Sequence, residues 1–192
     1  MISLKDDKAK SPQVACREIE QMNRRTALLT AGAGMVLASC GTTSAPPTDA
    51  SGVPLPQLYR ITPEMAEKIP YTMLDSVNSL RSAKGAQAVS FNSALNAAAL
   101  THSRDMSVQN RPWHFGSDGS SPLVRVQRVG YAGTLYGEVI SETYQTELET
   151  LSYWMSKKDT RDVILDTRAR DLGFAWYQEP QGKIWWTMLL GG

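Results

Sequence analysis

The chain of 192 residues has two histidines, and one of them, His114, lies in "WHFGSDGSSP" (113–122), a stretch dense in glycine and serine. Imidazole ionises near neutral pH, so a histidine in such a loop can be a general base, a metal ligand or a simple hydrogen-bonding group. Ser117, Ser120 and Ser121 add hydroxyls. Joined to His114 and a carboxylate, one of them could serve as the nucleophile of a hydrolase. Such a triad is defined by geometry, however, and no spacing here implies it. The favoured expectation is that these serines and glycines shape a turn, with "GSSP" capping the segment that follows. His102 sits on the apolar face of a helical stretch, which predicts a hydrogen-bonded core residue.

Cysteine chemistry is expected to be absent from the foldable part. The only cysteines are Cys16 and Cys40, both early in the chain. "MNRRTALLTAGAGMVLASCG" (22–41) has the layout of an export signal: Arg24 and Arg25, a short apolar run, then small residues. The run 27–38 is too short to cross a hydrocarbon core of about 30 Å as a helix. "LASC" (37–40) resembles the lipobox of bacterial lipoproteins, whose cysteine becomes the lipid-modified N-terminus. Arg24-Arg25 resembles a twin-arginine signal, with general secretion as the alternative. A disulfide between Cys16 and Cys40, or two idle thiols, is the competing account. Lipid on Cys40 would hold the protein on a membrane, each acyl chain contributing about 0.8 kcal/mol per buried CH₂.

The remaining composition bounds the rest. Cleavage before Cys40 leaves 14 basic and 15 acidic side chains. With no basic cluster after residue 60, nucleic-acid binding is not expected. Residues 1–21 read as an extension ahead of a start at Met22 or as a cytoplasmic leader, 22–39 as the signal, 40–60 as the lipidated cysteine with a Pro/Ser/Thr-rich tether, and 61–192 as the folded domain.

Periodicity supplies the elements that must position His114. "PYTMLDSVNSLRSAKG" (70–85) predicts a helix with Pro in front and Gly85 at its stop. "FNSALNAAALTHSRDM" (91–106) predicts a second, capped by Asn92, with Leu95, Ala98, Ala99, His102 and Met106 on one face. Residues 107–134 read as mostly loop, broken by "LVRVQRVGY" (123–131), and "LYGEVI" (135–140) as extended. "SETYQTELETLSYWMS" (141–156) reads as a helix with Tyr144, Leu148, Leu151 and Met155 on one stripe. "DLGFAWYQ" (171–178) and "KIWWTMLL" (183–190) flank the turn "EPQG" (179–182) as a hairpin. Several helices with late antiparallel strands make the fold class α+β.

The ordered set "VNSLR…G…FNSALNAAALTHSRDM…H…GSDGSSP…R…GY…GEVI…W…R…IL…LGFAW…WWTMLLG" resembles the CAP superfamily (cysteine-rich secretory proteins, antigen 5 and pathogenesis-related proteins), in its short bacterial branch. The resemblance covers about residues 71–192. It implies a three-layer α-β-α sandwich of the CAP/SCP type with a small antiparallel sheet and an open cleft. In that family the cleft carries two histidines with acidic residues, which in some members hold a divalent metal. His114 matches the first histidine, and Glu138 the glutamate of "G-E-N", although this chain has Val139 in the third place. In "WMSKKDTR" (154–161) Thr160 stands where the second histidine would be, with Arg161, Ile164 and Leu165 in register.

His114 and Glu138 therefore make a candidate acid–base pair, a candidate hydrogen-bonding floor, and two of the three or four ligands a Zn²⁺ site needs. Thr160 is a poor imidazole substitute, and His102, which could be recruited, belongs on an apolar face, so no cofactor is expected. Asp118 and Glu142 are near in sequence only. The five tryptophans (113, 154, 176, 185 and 186) are expected in the core, with Trp113 the exception. The expected function is an exported bacterial envelope lipoprotein, in the outer membrane or periplasm, binding a small amphipathic, lipid or peptide ligand without catalysis. The rivals are a hydrolase of peptide or envelope material, metal-assisted or not, and an anchored structural protein with a vestigial cleft.

Overall fold

The computed structural model describes residues 51–52 and 58–192. Cys16, Arg24, Arg25 and Cys40, with every expectation placed on them, lie outside the described residues. From residue 58 the chain forms α1 (Pro63–Ala83), β1 (Ser90–Phe91), α2 (Ser93–Gln109), α3 (Pro122–Arg128), β2 (Leu135–Glu142), α4 (Glu147–Ser156), α5 (Lys158–Ile164), β3 (Asp171–Gln178) and β4 (Ile184–Gly191). The strands make one sheet in the order β1-β3-β4-β2. The three long strands are antiparallel neighbours, and two-residue β1 adds a parallel pair on β3, so the sheet is mixed.

Alternation along the strands sorts the helices onto two faces. Leu172 and Phe174 of β3 with Trp186, Met188 and Leu190 of β4 point to one side, where Ile69, Met73 and Val77 of α1, Leu151 and Trp154 of α4 and Ile164 of α5 meet them. Ala175 and Leu189 point to the other side and meet Leu95, Ala98 and Ala99 of α2 and Val126 of α3. The fold is thus α+β with three layers, helices covering both faces of a small sheet. The close approach of α2 depends on Gly173, where any Cβ would collide with the backbone of Leu95. On the opposite face a Cβ at Gly137 would run into the Val163 side chain of α5 at 2.7 Å.

Three element boundaries differ from the expectation. Thr62 caps α1, accepting from the Met65 N–H, and Pro63 opens the helix, so α1 starts seven residues before Pro70. Pro70 is tolerated inside it because the buried stripe Ile69, Met73 and Val77 holds both sides of the lost hydrogen bond in place. Residues 141–146 are not helical: β2 runs to Glu142, and α4 begins only after Thr146, which forms a capping box with Glu149. Tyr144 therefore lies outside the helix, and Leu148 is 49% exposed rather than part of the buried stripe. Within 107–134, Ser121 and Pro122 start a true helix, α3.

A buried arginine ties the first layer together. Arg81 is fully enclosed, its Nε donating to Gln87 O (2.8 Å), Nη1 to Ile164 O (2.8 Å) and Asp166 O (3.0 Å), and Nη2 to Ala169 O (3.0 Å). It fastens the end of α5 and the approach to β3 onto α1. Among the described residues no helix is long and apolar enough to cross a membrane.

Candidate functional site

The site begins with α2. Asn92 fixes its start by accepting from the Ala94 and Leu95 N–H groups (3.0 and 3.2 Å), which sets the buried face and puts His102 on it. At the other end Asn110 takes the left-handed conformation (φ 49°) and turns the chain back along the helix. The returning loop is pinned by a ladder of side chains. Gln109 accepts from the Trp113 indole N–H (2.6 Å) and donates to Asp105 (2.8 Å) and to Phe115 O (3.1 Å). Asp105 in turn accepts from the Ser117 N–H (2.7 Å) and hydroxyl (2.5 Å).

The loop serines have structural partners. Ser117 is held by Asp105, the Ser120 N–H donates to Asp118 (2.9 Å), and Ser121 caps α3. None of the three hydrogen-bonds the His114 imidazole, so they do not form a nucleophile–base pair with it. Asp118 is ion-paired with Arg128 on the surface, and Ser120 and Arg128 hold its carboxyl well below the usual carboxylate range. Glu142 pairs with Lys183.

Capping by Ser121 delivers the residue that organises the site. Arg125, one turn into α3, is buried; its Nη1 donates to His114 O (2.8 Å) and Ser120 O (3.0 Å), and its Nη2 to Glu138 Oε2 (2.5 Å). Glu138 projects from β2 toward α2 and α3, its side chain only 1% exposed. Its Oε1 accepts from His114 Nδ1 at 2.9 Å, and His102 Nε2 lies 3.6 Å from the same oxygen. His114 and Glu138 thus meet, and His102 stands beside them while donating from Nε2 to Trp113 O (2.9 Å). That bond fixes the His102 tautomer and leaves its Nδ1 buried with no partner among the described residues. Burial depresses the His102 pKa, with Arg125 adding to the effect and Glu138 opposing it.

Thr160 does not join this group. Its hydroxyl turns back to Trp154 O and Lys157 O, and α5 packs under Gly137, on the face of β2 away from the Glu138 carboxylate. Trp154, Trp185 and Trp186 are fully buried, whereas Trp113 lies in the loop with the Arg111 guanidinium 3.9 Å over its ring.

The profile of the family described as CAP, Cysteine-rich secretory protein family, matches residues 74–190. The chain belongs to the CAP family. No match is found among curated proteins. Three solved structures resemble this CAP domain. An outer surface protein of Borrelia burgdorferi is 12% identical with a TM-score of 0.61, over 66% of this chain and 93% of that one. An extracellular protein of Bacillus anthracis containing an SCP domain is 20% identical with a TM-score of 0.60, over 69% of this chain and 44% of that one. A cysteine-rich secretory protein of Staphylococcus aureus is 13% identical with a TM-score of 0.51, over 66% and 38%. The chain spans less than half the length of the last two.

In this CAP domain the family's divalent metal does not fit the donors. A tetrahedral centre wants three or four free nitrogen, oxygen or sulfur ligands. Among the described residues no group of three or more His, Cys, Asp or Glu side chains is arranged to hold an ion. Glu138 Oε2 is engaged by a guanidinium, and His102 Nε2 is spent on a carbonyl. What the arrangement does supply is a neutralised carboxylate that orients a half-exposed imidazole through Nδ1, leaving Nε2 as the nitrogen a ligand could use.

Sequence reasoning missed Arg125, Asp105 and Gln109. An arginine on a seven-residue helix has no signature distinguishing it from a solvated one. The Ser121-Pro122 helix start was the one available signal, since it places Arg125 back toward the loop it follows.

Proposed function

We propose that this CAP protein is an exported bacterial envelope lipoprotein, held through lipid on Cys40, that binds a small amphipathic ligand at His114 without turning it over. The observation that carries the reading is the enclosure of Glu138. Its side chain is only 1% exposed with Arg125 and His114 bonded to its two oxygens, and no loop serine hydroxyl bonds the imidazole it orients, so the pair has no activated nucleophile among the described residues. His114 is 50% exposed and is followed by Phe115, itself 48% exposed, which puts a polar group and an apolar one side by side at the surface. A lipid or a peptide with an apolar side chain offers the matching pair of groups. The extracytoplasmic setting is supported by the Borrelia outer surface protein and the Bacillus extracellular protein that share the fold.

Two measurements test this. Cys40→Ala is expected to release the protein from membranes on fractionation; retention would remove the lipid anchor. Titration of the full chain with a dansylated fatty acid and with a hydrophobic peptide is expected to give saturable binding of one of them, lost in His114→Ala, with mass spectra unchanged after prolonged incubation. Accumulation of a cleaved product that depends on His114 would favour the hydrolase instead.

A further inference from the structure

A second recess lies along the free edge of the sheet. β2 is an edge strand, and at its end the chain turns through Thr143 with φ 84°, a left-handed conformation that a β-branched residue adopts only under constraint. The Thr143 N–H donates to Ile184 O (3.2 Å), which holds the turn to β4. The turn sets Tyr144 against Tyr153 of α4, ring centroids 4.9 Å apart and planes 32° to each other. A hollow of about 440 Å³ beside this pair reaches Ser141 and Glu142. A second, of about 610 Å³, reaches Ser152 and Ser156. Both are lined by Thr143, Tyr144 and Tyr153, which makes the tyrosine pair the shared wall of a two-part trough.

Two features of the trough point to a ligand. Ser141 is only 6% exposed, lines the hollow, and its hydroxyl has no hydrogen-bond partner among the described residues. Buried hydroxyls left in that state are costly, and a ligand group at hydrogen-bond distance would remove the cost. Glu142 lines the same hollow, and its charge is matched by Lys183, so this end of the trough presents an acceptor without an unpaired charge.

We propose that this trough binds an uncharged oligosaccharide. A sugar ring has an apolar C–H face, which lies well on an aromatic ring, and a rim of hydroxyls that both donate and accept. The tyrosine pair supplies the aromatic surface; Ser141, Glu142, Gln145, Ser152 and Ser156 supply the polar rim. An anionic ligand would need unmatched cations, and a lipid chain would offer the Ser141 hydroxyl no partner while covering Glu142. An extended peptide added to the β2 edge would need its carbonyls, but Ile140 O already accepts from the Trp154 indole N–H (3.0 Å). Two hollows that share the tyrosine pair suit several linked rings better than one sugar.

The test is calorimetric titration of the full-length chain with cellotetraose and with the tetramer of N-acetylglucosamine, beside tetra-alanine as the peptide probe. Saturable binding of at least one tetrasaccharide is expected. Tyr153→Ala should weaken it by about tenfold or more and Ser141→Ala by severalfold, with Tyr153→Phe retaining most of it. Ser152→Trp, at an exposed position, should block the trough without touching the core, and it decides the matter if Tyr153→Ala fails to fold. His114→Ala should leave saccharide binding unchanged, which separates this site from the one proposed above. Absence of saturable heat with both tetrasaccharides, binding indifferent to Ser152→Trp, or tetra-alanine binding in their place would each overturn the assignment.

Discussion

Arg81 and Arg125 are both buried arginines that reach across the fold, and the difference between their partners separates scaffold from site. Every hydrogen bond of Arg81 ends on a backbone carbonyl, in four different residues between 87 and 169. Arg125 also takes two carbonyls, but its remaining bond goes to Glu138, and that carboxylate passes the connection on to a half-exposed histidine. The first arrangement closes on itself and serves rigidity. The second ends at solvent, in a ring nitrogen that a ligand can reach. A buried cation is therefore informative about function only when its acceptors are followed outward.

The comparison can be broken by substitution. Arg81→Met should be the most damaging change, leaving four carbonyls short of a donor at an expected cost on the order of 4 kcal/mol. The full chain should show this as a melting temperature lower by roughly 10 °C. If Arg81→Met melts like the parent, the clasp is not one.

Glu138→Gln should cost about 3 kcal/mol by stranding the Arg125 charge, and Glu138→Gln/Arg125→Met should recover part of the loss in urea denaturation. Strict additivity of the two changes would dissolve the pair as a unit.

Acid should act next. The depressed pKa of His102 means that the native state binds fewer protons than the unfolded chain, in which the ring titrates near its ordinary value of about 6.5. Its contribution to stability is complete above that pH and is lost as the pH falls below it. The resulting slope is at most about 1.4 kcal/mol per pH unit. Melting curves at stepped pH should show the decline, and His102→Gln should flatten it.

The smallest effect is expected from His114→Ala, within about 0.5 kcal/mol in urea, because the ring is half solvated. A large loss there would move His114 from the site to the scaffold.

Much of the frame was legible beforehand, for reasons that particular residues make plain. Asn92 and the spacing of Leu95, Ala98, Ala99, His102 and Met106 describe one face of α2, because capping and a 3.6-residue period are local properties. The hairpin of β3 and β4 was equally visible, since its strands are rich in aromatic and aliphatic residues and its turn is short. The stripe through Tyr144 and Leu148 misled because a helical spacing continued across Thr146, and the cap that ends the strand region and starts α4 outweighs it. Pro70 misled in the opposite way, as a breaker overridden by the packing on both sides of it.

The sequence alone determined the α+β order of elements, the faces of the helices, the resemblance to the CAP family and the two residues, His114 and Glu138, that the fold brings to 2.9 Å. These follow from local propensity and period, or from motif order along the chain. Tertiary structure alone decided that Arg125 neutralises Glu138, that Thr160 faces elsewhere, that His102 stands 3.6 Å from the shared oxygen, and that Tyr144 meets Tyr153 along the sheet edge. Each of these depends on which face of β2 a side chain leaves from and on how closely a separate helix approaches. Neither quantity is written in the spacing of a single stretch of chain.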